Sequence, residues 1–580
     1  MIRRIGLLVT GLLCVLLSAA CVSLPEDGSI RAGSATATGS TDAGFPYDPR
    51  PPQPGETPIE IVRHFLDAML ATPTSTVVAK QFLSTTARAE WRPERQMITY
   101  QDFETPEGDD EVTLALTNAH HLDAGGRWRG ALPEQASTIR FTMTTEGGEW
   151  RIGDLPDATI VSDEFFASRY QQVSLHFFDP TGKILVPEPA FVPRGGQLAS
   201  ALVRGLLQGT DPRLRDVAES FIPEGMSLDL SVPVSADGIA TISLRGDDGA
   251  LDADAVEQMA IQFAWTLRQD PAVRRLRILI NDTPVALEDA PTVFDVDIGA
   301  DHDPAEAYAW PDPFALRNGR LVSVAGEVEG RTDGPFGAST LGLRSVAVDL
   351  EGTRAVAVST DGRSLLEAPV ERTEGEGART LVSGATDLLP PAWDHADRIW
   401  LVDRSAGGAR VSVVIDGTNT PVRVPGISGA DVSSYIVSRD GSRLAAVVST
   451  PTGDVVMLSR LAGAGERPRA TAAVRISPDT PEPVRINDIA WQSPTRILAV
   501  VPVARGISQV SSFPVDGSPA TSGVRRAEGV VRQDIVELVA SPVADTDVWG
   551  VAANGRVHDL RGERGAALPE PGLVSLGYVG

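Results

Sequence analysis

The stretch SVAVDLEGTRAVAV, residues 345–358, decides the fold of nearly half of this chain, because its pattern returns as SYIVSRDGSRLAAV at residues 434–447. Each copy holds an apolar run, a tight turn with an acidic residue and a glycine, and a second apolar run. Two apolar runs joined by such a turn are typical of a β-hairpin. The sequence therefore predicts the same hairpin at two places in the chain.

Related units lie between and after these hairpins. Trp393 precedes RIWLV at 398–402, Trp491 precedes RILAV at 496–500, and DVWGV occupies 547–551. Each unit again joins an aromatic or apolar run to a turn. The tryptophans are expected to fill the core between neighbouring sheets, although a binding rim formed by exposed aromatic residues is an alternative.

The units begin near residues 345, 390, 434, 488 and 538, a spacing of about 45–50 residues, which is the length of a four-stranded propeller blade. An open sandwich would give similar strands without this period of paired hairpins. Residues 318–580 are therefore predicted to form an all-β propeller of five or six blades, with no helices.

The first folded part is predicted at residues 57–165. Thr57, Pro58 and Glu60 have the order of a helix N-cap, a first-turn proline and a capping-box glutamate. A second helical stretch is expected at about 76–88, followed by alternating strands. Helices followed by antiparallel strands predict a small α+β domain.

A second α+β domain is predicted at residues 170–298. A strand from Val173 and a return strand from Ile184 flank a turn, and a helix is expected at about 197–207. A longer helix is predicted to begin at Asp254. The fold class is thus two small α+β domains followed by the propeller.

The chain begins with the pattern of a lipoprotein signal peptide. Arg3 and Arg4 precede an apolar run at 5–17, and small residues at 18–20 precede Cys21. We interpret residues 1–20 as the signal and Cys21 as the lipidation site, with residues 21–56 as a disordered tether. The alternative is a plain secretory signal with an incidental cysteine.

Composition limits the classes of partner. The net charge of -26 disfavours nucleic acid and anionic lipid headgroups, so the membrane contact is expected to be the lipid on Cys21. The other cysteine, Cys14, lies inside the signal, which leaves no pair for a disulfide in the mature chain. No cofactor or metal is expected.

The order of these parts resembles the actinobacterial LpqB lipoprotein family. The resemblance starts at Cys21 with VSLP at 22–25 and continues through both α+β domains to the propeller. The middle domain is similar to a GerMN domain, most clearly at residues 196–207 and 276–281. The propeller is similar to TolB-type propellers through hairpins such as Asp440-Gly441.

This resemblance implies a function that the residues alone do not give. LpqB proteins lie on the extracytoplasmic face of the cell membrane beside the sensor kinase MtrB and influence phosphorylation of its response regulator MtrA. That circuit controls cell-wall homeostasis and division. The expected partner is therefore the extracytoplasmic domain of a sensor histidine kinase, and the expected protein is not an enzyme.

The residues themselves show no catalytic motif. The nearest approach to a nucleophile elbow, GISGA at 426–430, ends in alanine. Four groups of titratable residues could bind a ligand, and each has a simpler structural interpretation as a surface pair, a loop or a turn. They are His120 with His121, His64 with Asp67, the acids at 109–111 and 247–248, and His395.

Two other functions remain open from the sequence. The first is a cell-wall protein whose middle domain binds peptidoglycan, with some of the nine tryptophans stacking on sugars. The second is a glycosidase, because some propellers are glycosidases. That enzyme would need two carboxylates about 5–10 Å apart across a pocket.

Overall fold

Three folded parts follow one another along the chain, each around its own apolar core. The computed structural model describes residues 47–72, 75–247, 251–287, 292–325, 328–463, 467–477, 483–519, 529–560 and 571–580. All of them fall within one compact unit, Gly44–Gly580.

The first part holds two four-stranded sheets and three short helices. The helices are α1 (Pro58–Ala68), α2 (Thr85–Glu90) and α3 (Asp163–Arg169), with 3-10 turns at Ala79–Phe82, Pro93–Arg95 and Glu134–Ala136. The strands are β1 (Gln96–Tyr100), β2 (Asp102–Phe103), β3 (Glu111–Thr117), β4 (His120–Asp123), β5 (Trp128–Ala131), β6 (Thr138–Glu146), β7 (Glu149–Asp154) and β8 (Thr159–Ser162). They pair in the orders β5-β4-β1-β8 and β2-β3-β6-β7.

Helix α1 has the predicted capping box. The Thr57 side chain accepts a hydrogen bond from the Glu60 amide, and the Glu60 carboxylate accepts one from the Thr57 amide at 2.8 Å. The apolar face of the helix buries Phe65, whose ring centroid lies 5.6 Å from that of Trp91. The helical stretch predicted at about 76–88 is not continuous in the structure. Ser84 caps a new helix, α2, and so separates it from the preceding 3-10 turn.

The last part of the predicted tether is ordered against this domain. Tyr47 forms an antiparallel bridge with Thr72, with amide-to-carbonyl distances of 3.3 and 2.9 Å. The Gly55 amide donates to the Glu149 carboxylate at 2.8 Å. The folded chain therefore begins by residue 47, ahead of the predicted start at 57.

The middle part joins a long hairpin to a second sheet and two helices. The helices are α4 (Leu198–Leu207) and α5 (Ala253–Leu267), with 3-10 turns at Pro212–Leu214 and Ala300–His302. The strands are β9 (Tyr170–Phe178), β10 (Leu185–Pro193), β11 (Ser227–Leu228), β12 (Ile239–Arg245), β13 (Arg275–Ile280), β14 (Thr283–Pro284) and β15 (Phe294–Asp295). Strands β9 and β10 pair with each other, β11-β12-β13-β14 form the other sheet, and β15 pairs with β13.

The hairpin and both helices of this part agree with the prediction, but the cap of α5 does not. Asp252 caps the helix by accepting a hydrogen bond from the Ala255 amide at 2.8 Å. Asp254, where the sequence predicts the helix to begin, lies inside the first turn, and its negative charge interacts favourably with the helix dipole.

The third part is a propeller of six sheets among the described residues. Its strands are β16 (Phe314–Arg317), β17 (Arg320–Ala325), β18 (Val328–Arg331), β19 (Leu343–Val348), β20 (Arg354–Ser359), β21 (Leu365–Pro369), β22 (Arg379–Val382), β23 (Ala392–Trp393), β24 (Ile399–Asp403), β25 (Arg410–Ile415), β26 (Thr418–Val422), β27 (Asp431–Val437), β28 (Arg443–Thr450), β29 (Gly453–Ala462), β30 (Arg469–Ala470), β31 (Val474–Arg475), β32 (Asp488–Ser493), β33 (Arg496–Ala504), β34 (Ile507–Pro514), β35 (Gly529–Val531), β36 (Ile535–Val539), β37 (Trp549–Ala552), β38 (Val557–Asp559) and β39 (Leu573–Gly577).

These strands form blades in chain order, except that β39 joins the first blade. Blade 1 has the order β18-β17-β16-β39, so its first strand comes from residues more than 200 positions beyond the others. Blades 2 to 5 start at β19, β23, β27 and β32, and blade 6 consists of β36-β37-β38. The prediction that helices are absent here is wrong at one short helix, α6 (Pro335–Ala338).

The four tryptophans singled out in the blades are buried, as their core interpretation predicts. They are Trp393, Trp400, Trp491 and Trp549, and none is more than 7% exposed. Because their rings lie in the clusters between blades, they are not available as a binding rim.

Candidate functional site

The predicted lipidation site, Cys21, lies outside the described residues, so its lipidation stays a prediction. The helices within the described part of the chain are all too short, or too polar, to span a bilayer.

The histidine pairs take structural positions. His120 stacks on Trp128 with ring centroids 4.9 Å apart, and His121 follows it on β4, where burial lowers the pKa of the imidazole. His64 contacts Glu56 through Nδ1 at 2.8 Å, rather than Asp67. Across the described ranges, no group of three or more His, Cys, Asp or Glu side chains is placed to share a metal ion.

The turn that carries His395 is organised by its neighbour Asp394. One carboxylate oxygen of Asp394 accepts hydrogen bonds from Arg398 Nε and Trp400 Nε1, both at 2.7 Å. The other oxygen accepts the Ala396 amide at 3.0 Å. The Asx turn that the sequence predicts here is therefore a fully buried hydrogen-bond centre.

The most informative charged site lies where the middle domain meets the propeller. Arg443, at the start of β28, has no exposed surface. Its guanidinium lies 3.2 Å from the Glu188 carboxylate of β10 and 3.3 Å from Asp440 of its own blade, and it donates to the Pro187 carbonyl. Arg460 donates to the same oxygen of Glu188. One carboxylate of the middle domain thus pairs with two arginines of the propeller, and Asp440 supplies a second negative charge.

The electrostatics of this cluster follow from burial. Burial raises the pKa of Glu188, but Arg460 and Arg443 outweigh it and hold that pKa below its usual range. Burial, together with Arg460, lowers the pKa of Arg443 to about 10. Both groups are therefore charged at neutral pH, and each depends on the other for compensation.

Sequence reasoning missed this cluster. Arg443 belongs to the repeated hairpin, but nothing in the repeat shows that this copy reaches another domain. Glu188 lies between Pro187 and Pro189 on a strand buried along nearly its whole length. A charged residue inside such an apolar strand is the sequence signal that could have indicated a buried ion pair here.

Further contacts fix the same junction. Arg439 donates to the Val579 carbonyl at 2.8 Å and to the Ala305 carbonyl at 2.9 Å, which ties the segment before β16 to the fourth blade. Gln172 of β9 donates to Asp516 at 3.2 Å and to Ser518 at 3.1 Å. The middle domain therefore contacts blades 4 and 5.

The first and middle domains are joined by a smaller contact. Arg129 forms an ion pair with Asp211 of the middle domain. The Phe191 amide donates to the Gly126 carbonyl at 2.7 Å, and the Phe191 ring packs into the core of the first domain.

A surface cleft of about 340 Å³ lies in the first domain. Charged, apolar and aromatic side chains line it; they are Arg63, His64, Leu66, Asp67, Leu70, Tyr100 and Phe103. Burial and, to a smaller extent, the negative charge of Asp67 raise the pKa of Tyr100 to about 12, so the phenol stays protonated. Charged and aromatic side chains therefore share one surface cleft in this domain.

One pair of acids lies between blades 5 and 6. Burial and, to a smaller extent, the negative charge of Asp488 raise the pKa of Glu537 to about 8. Asp488 accepts hydrogen bonds from Ser434 Oγ at 2.7 Å and from the Leu538 amide at 2.9 Å. These bonds link the first strands of blades 4, 5 and 6, which gives Asp488 a structural role.

Three family models match consecutive parts of this chain. They are the N-terminal domain of lipoprotein LpqB at residues 51–167, the Germane domain of sporulation and spore germination at 174–286, and the lipoprotein LpqB beta-propeller domain at 319–564. Lipoprotein LpqB of Streptomyces coelicolor is 26% identical and aligns with 88% of this chain and 89% of its own length. The chain belongs to the LpqB lipoprotein family.

Family membership confirms the predicted lipoprotein type, the GerMN-like middle domain and the propeller. Another LpqB, from Mycolicibacterium smegmatis, is 29% identical over 78% of this chain and 79% of its own. A solved chain of the nidogen–laminin complex aligns with 46% of this chain and 97% of its own at a TM-score of 0.33 and 12% identity. The relatives carry the name lipoprotein LpqB, and that family name implies a membrane-anchored lipoprotein.

Proposed function

We propose that this protein is an extracytoplasmic accessory of a two-component system. Anchored through Cys21, it binds the extracytoplasmic domain of an MtrB-type sensor kinase and so changes phosphorylation of an MtrA-type response regulator. Cell-wall homeostasis and division depend on that phosphorylation. The protein acts by binding and performs no catalysis.

The observation that carries this proposal is that LpqB domains match both ends of the chain, with the Germane domain between them in contact with each. Glu188 and Arg443 make the middle domain and the propeller one body. A body of this size, held near the membrane by a lipid and a tether, suits a protein that binds a membrane-embedded partner.

Direct binding tests the proposal. The chain from Gly44 onward, which retains the Tyr47–Thr72 bridge, is titrated against the purified extracytoplasmic domain of the kinase from the same organism. Saturable binding, together with altered regulator phosphorylation when the lipoprotein is deleted from cells, supports the function. No binding at high micromolar concentration and unchanged phosphorylation would refute it.

The cleft of the first domain favours a second function, recognition of peptidoglycan. Arg63 and Asp67, one helical turn apart on α1, line this cleft together with Tyr100 and Phe103, and charged groups beside aromatic rings suit a sugar or a short peptide. Co-sedimentation with purified cell wall, lost on Tyr100→Ala but kept on Val77→Ala, would support it. Absence of the chain from the pellet at moderate salt would exclude it.

A further inference from the structure

The cleft of the first domain contains a tyrosine whose hydroxyl has no partner. Tyr100, the last residue of β1, lines the cleft and is 7% exposed. Among the described residues, none accepts a hydrogen bond from its hydroxyl or donates one to it. Buried tyrosines usually bring this hydroxyl to a hydrogen-bond partner, and a group without one needs an explanation. A polar ligand in the cleft would supply the missing partner.

Two side chains of opposite charge lie on the helix wall of the same cleft. Arg63 and Asp67 are exposed and are one turn apart on α1. Within the described part of the chain, neither forms an ion pair, either with the other or with a third residue. A basic residue four positions before an acidic one is the less favourable order for an ion pair on a helix. Both charges therefore remain available to a ligand.

The remaining polar residue of the cleft already has a partner. His64 contacts Glu56 through Nδ1 at 2.8 Å, and the Glu56 side chain is only 10% exposed. This contact occupies one nitrogen of the ring, and the carboxylate compensates a positive charge on it. Among the polar lining residues, the ones without a partner are thus Arg63, Asp67 and Tyr100.

The charges around Tyr100 make its end of the cleft attractive to a cation. Burial, followed by the negative charges of Asp67, Asp102 and Asp163, raises the pKa of Tyr100 to about 12. In the described ranges none of these three acids forms an ion pair. The rings of Tyr100 and Phe103 lie with their centroids 5.7 Å apart, and aromatic faces attract ammonium groups. This end of the cleft therefore suits an ammonium group.

We propose that the cleft binds the zwitterionic end of an amino acid, with the carboxylate on Arg63 and the ammonium group beside Asp67 and Tyr100. For its site this inference rests on the second proposed function, recognition of peptidoglycan, and it names the group that is recognised. An arginine holds a carboxylate through two parallel hydrogen bonds. A neutral sugar fits less well, because it gives neither unpaired charge an ionic partner.

Two sources can supply such an end. One is a free amino acid. The other is the side chain of a diamino acid whose first amino and carboxyl groups are already in a peptide, as in a cell-wall peptide. The chemistry at the cleft is the same in both cases, so the experiment has to separate them.

Isothermal titration calorimetry of the chain from Gly44 onward with meso-diaminopimelate tests the proposal. This diamino acid has a zwitterionic centre at each end. The matched control ligands are pimelate, which has the same carbon chain without the amines, and cadaverine, which has the two amines without the carboxylates. We expect saturable binding of diaminopimelate and at least about tenfold weaker binding of both controls, because each lacks one of the charged hydrogen-bonding groups.

Substitutions separate the two charges. Arg63→Gln should weaken diaminopimelate binding at least about tenfold and leave cadaverine binding unchanged, whereas Asp67→Asn should weaken diaminopimelate and leave pimelate unchanged. Tyr100→Phe removes only the hydroxyl and should weaken binding by a smaller factor. The control variants are Arg215→Gln and Asp109→Asn, at exposed residues that do not line the cleft. Thermal unfolding of each variant first establishes that it is folded.

Co-sedimentation with purified cell wall distinguishes the two sources. If the chain enters the pellet and free diaminopimelate releases it, the ligand is an end within the wall and both proposals are supported. If the chain enters the pellet but diaminopimelate does not release it, the inference is overturned while wall recognition stands. Equal affinity of diaminopimelate for the original chain, Arg63→Gln and Asp67→Asn would also overturn the inference.

The converse result is equally decisive. If the chain stays out of the pellet but binds diaminopimelate with the expected dependence on Arg63 and Asp67, wall recognition fails and the inference holds for a free amino acid. If the chain binds neither the wall nor diaminopimelate, both proposals are refuted.

Discussion

Replacing Glu188 with glutamine is expected to weaken the junction between the middle domain and the propeller. The substitution keeps the shape of the side chain and removes the charge that neutralises Arg443 and Arg460. Removing one partner of a buried ion pair costs about 3–5 kcal/mol. Because Arg443 keeps Asp440 at 3.3 Å, we expect the lower end of that range, about 3 kcal/mol.

Differential scanning calorimetry of the chain from Gly44 onward measures this effect. For a domain the size of the propeller, about 3 kcal/mol corresponds to a shift in the unfolding temperature of roughly 6–12 °C. The matched control is Glu111→Gln, which removes an exposed ion pair with Arg140 and should shift stability by no more than about 1 kcal/mol. Equal, small shifts for the two variants would refute the buried-pair argument.

The same cluster has a defined pH dependence. The folded pKa of Glu188 is held below the ordinary 4.5, so its contribution is complete above pH 4.5 and is lost as the pH falls through the folded pKa. Glu188→Gln should lack this loss.

Three other predictions concern single positions. Thr57→Ala should destabilise the first domain by about 1 kcal/mol through loss of the helix cap, seen as a lower unfolding temperature, whereas Thr57→Ser should not. Gly126→Ala should loosen the contact between the first two domains, because its Cβ would lie 2.2 Å from the Phe191 carbonyl oxygen. The control is Gly130→Ala, which is also at positive φ but has open space around it. Equal rates of proteolysis between the domains in the two variants would contradict the expectation. The pKa of Glu537 is raised to about 8, so propeller stability should fall as the pH rises from about 4.5 to 8. Glu537→Gln should flatten the plot of unfolding temperature against pH over that range. An unchanged slope in the variant would show that Glu537 does not cause the loss of stability.

Local patterns predicted much of this fold. The Thr57 capping box, the hairpin at β9 and β10, and the repeated blade hairpins all depend on residues close in sequence, and the structure confirms them. The helix boundary at Asp254 was wrong by two residues, because two aspartates compete for the cap and only the geometry of the Asp252 side chain decides.

Long-range contacts could not be predicted from pattern. The pairing of β39 with β16 joins segments more than 250 residues apart, and periodicity carries no information about which strand closes a ring. The ion pair between Arg443 and Glu188 could not be predicted either, because it depends on how the middle domain packs against the propeller.

The position of β39 has a consequence for biosynthesis. The strand Phe314–Arg317 gains its inner neighbour only when residues 573–577 have been translated. Until then the ring is open, and β16 of blade 1 has an unpaired edge that invites association with other chains. A polypeptide interrupted before residue 573 is therefore expected to be a substrate for proteases, so that closed rings accumulate and few partial ones do.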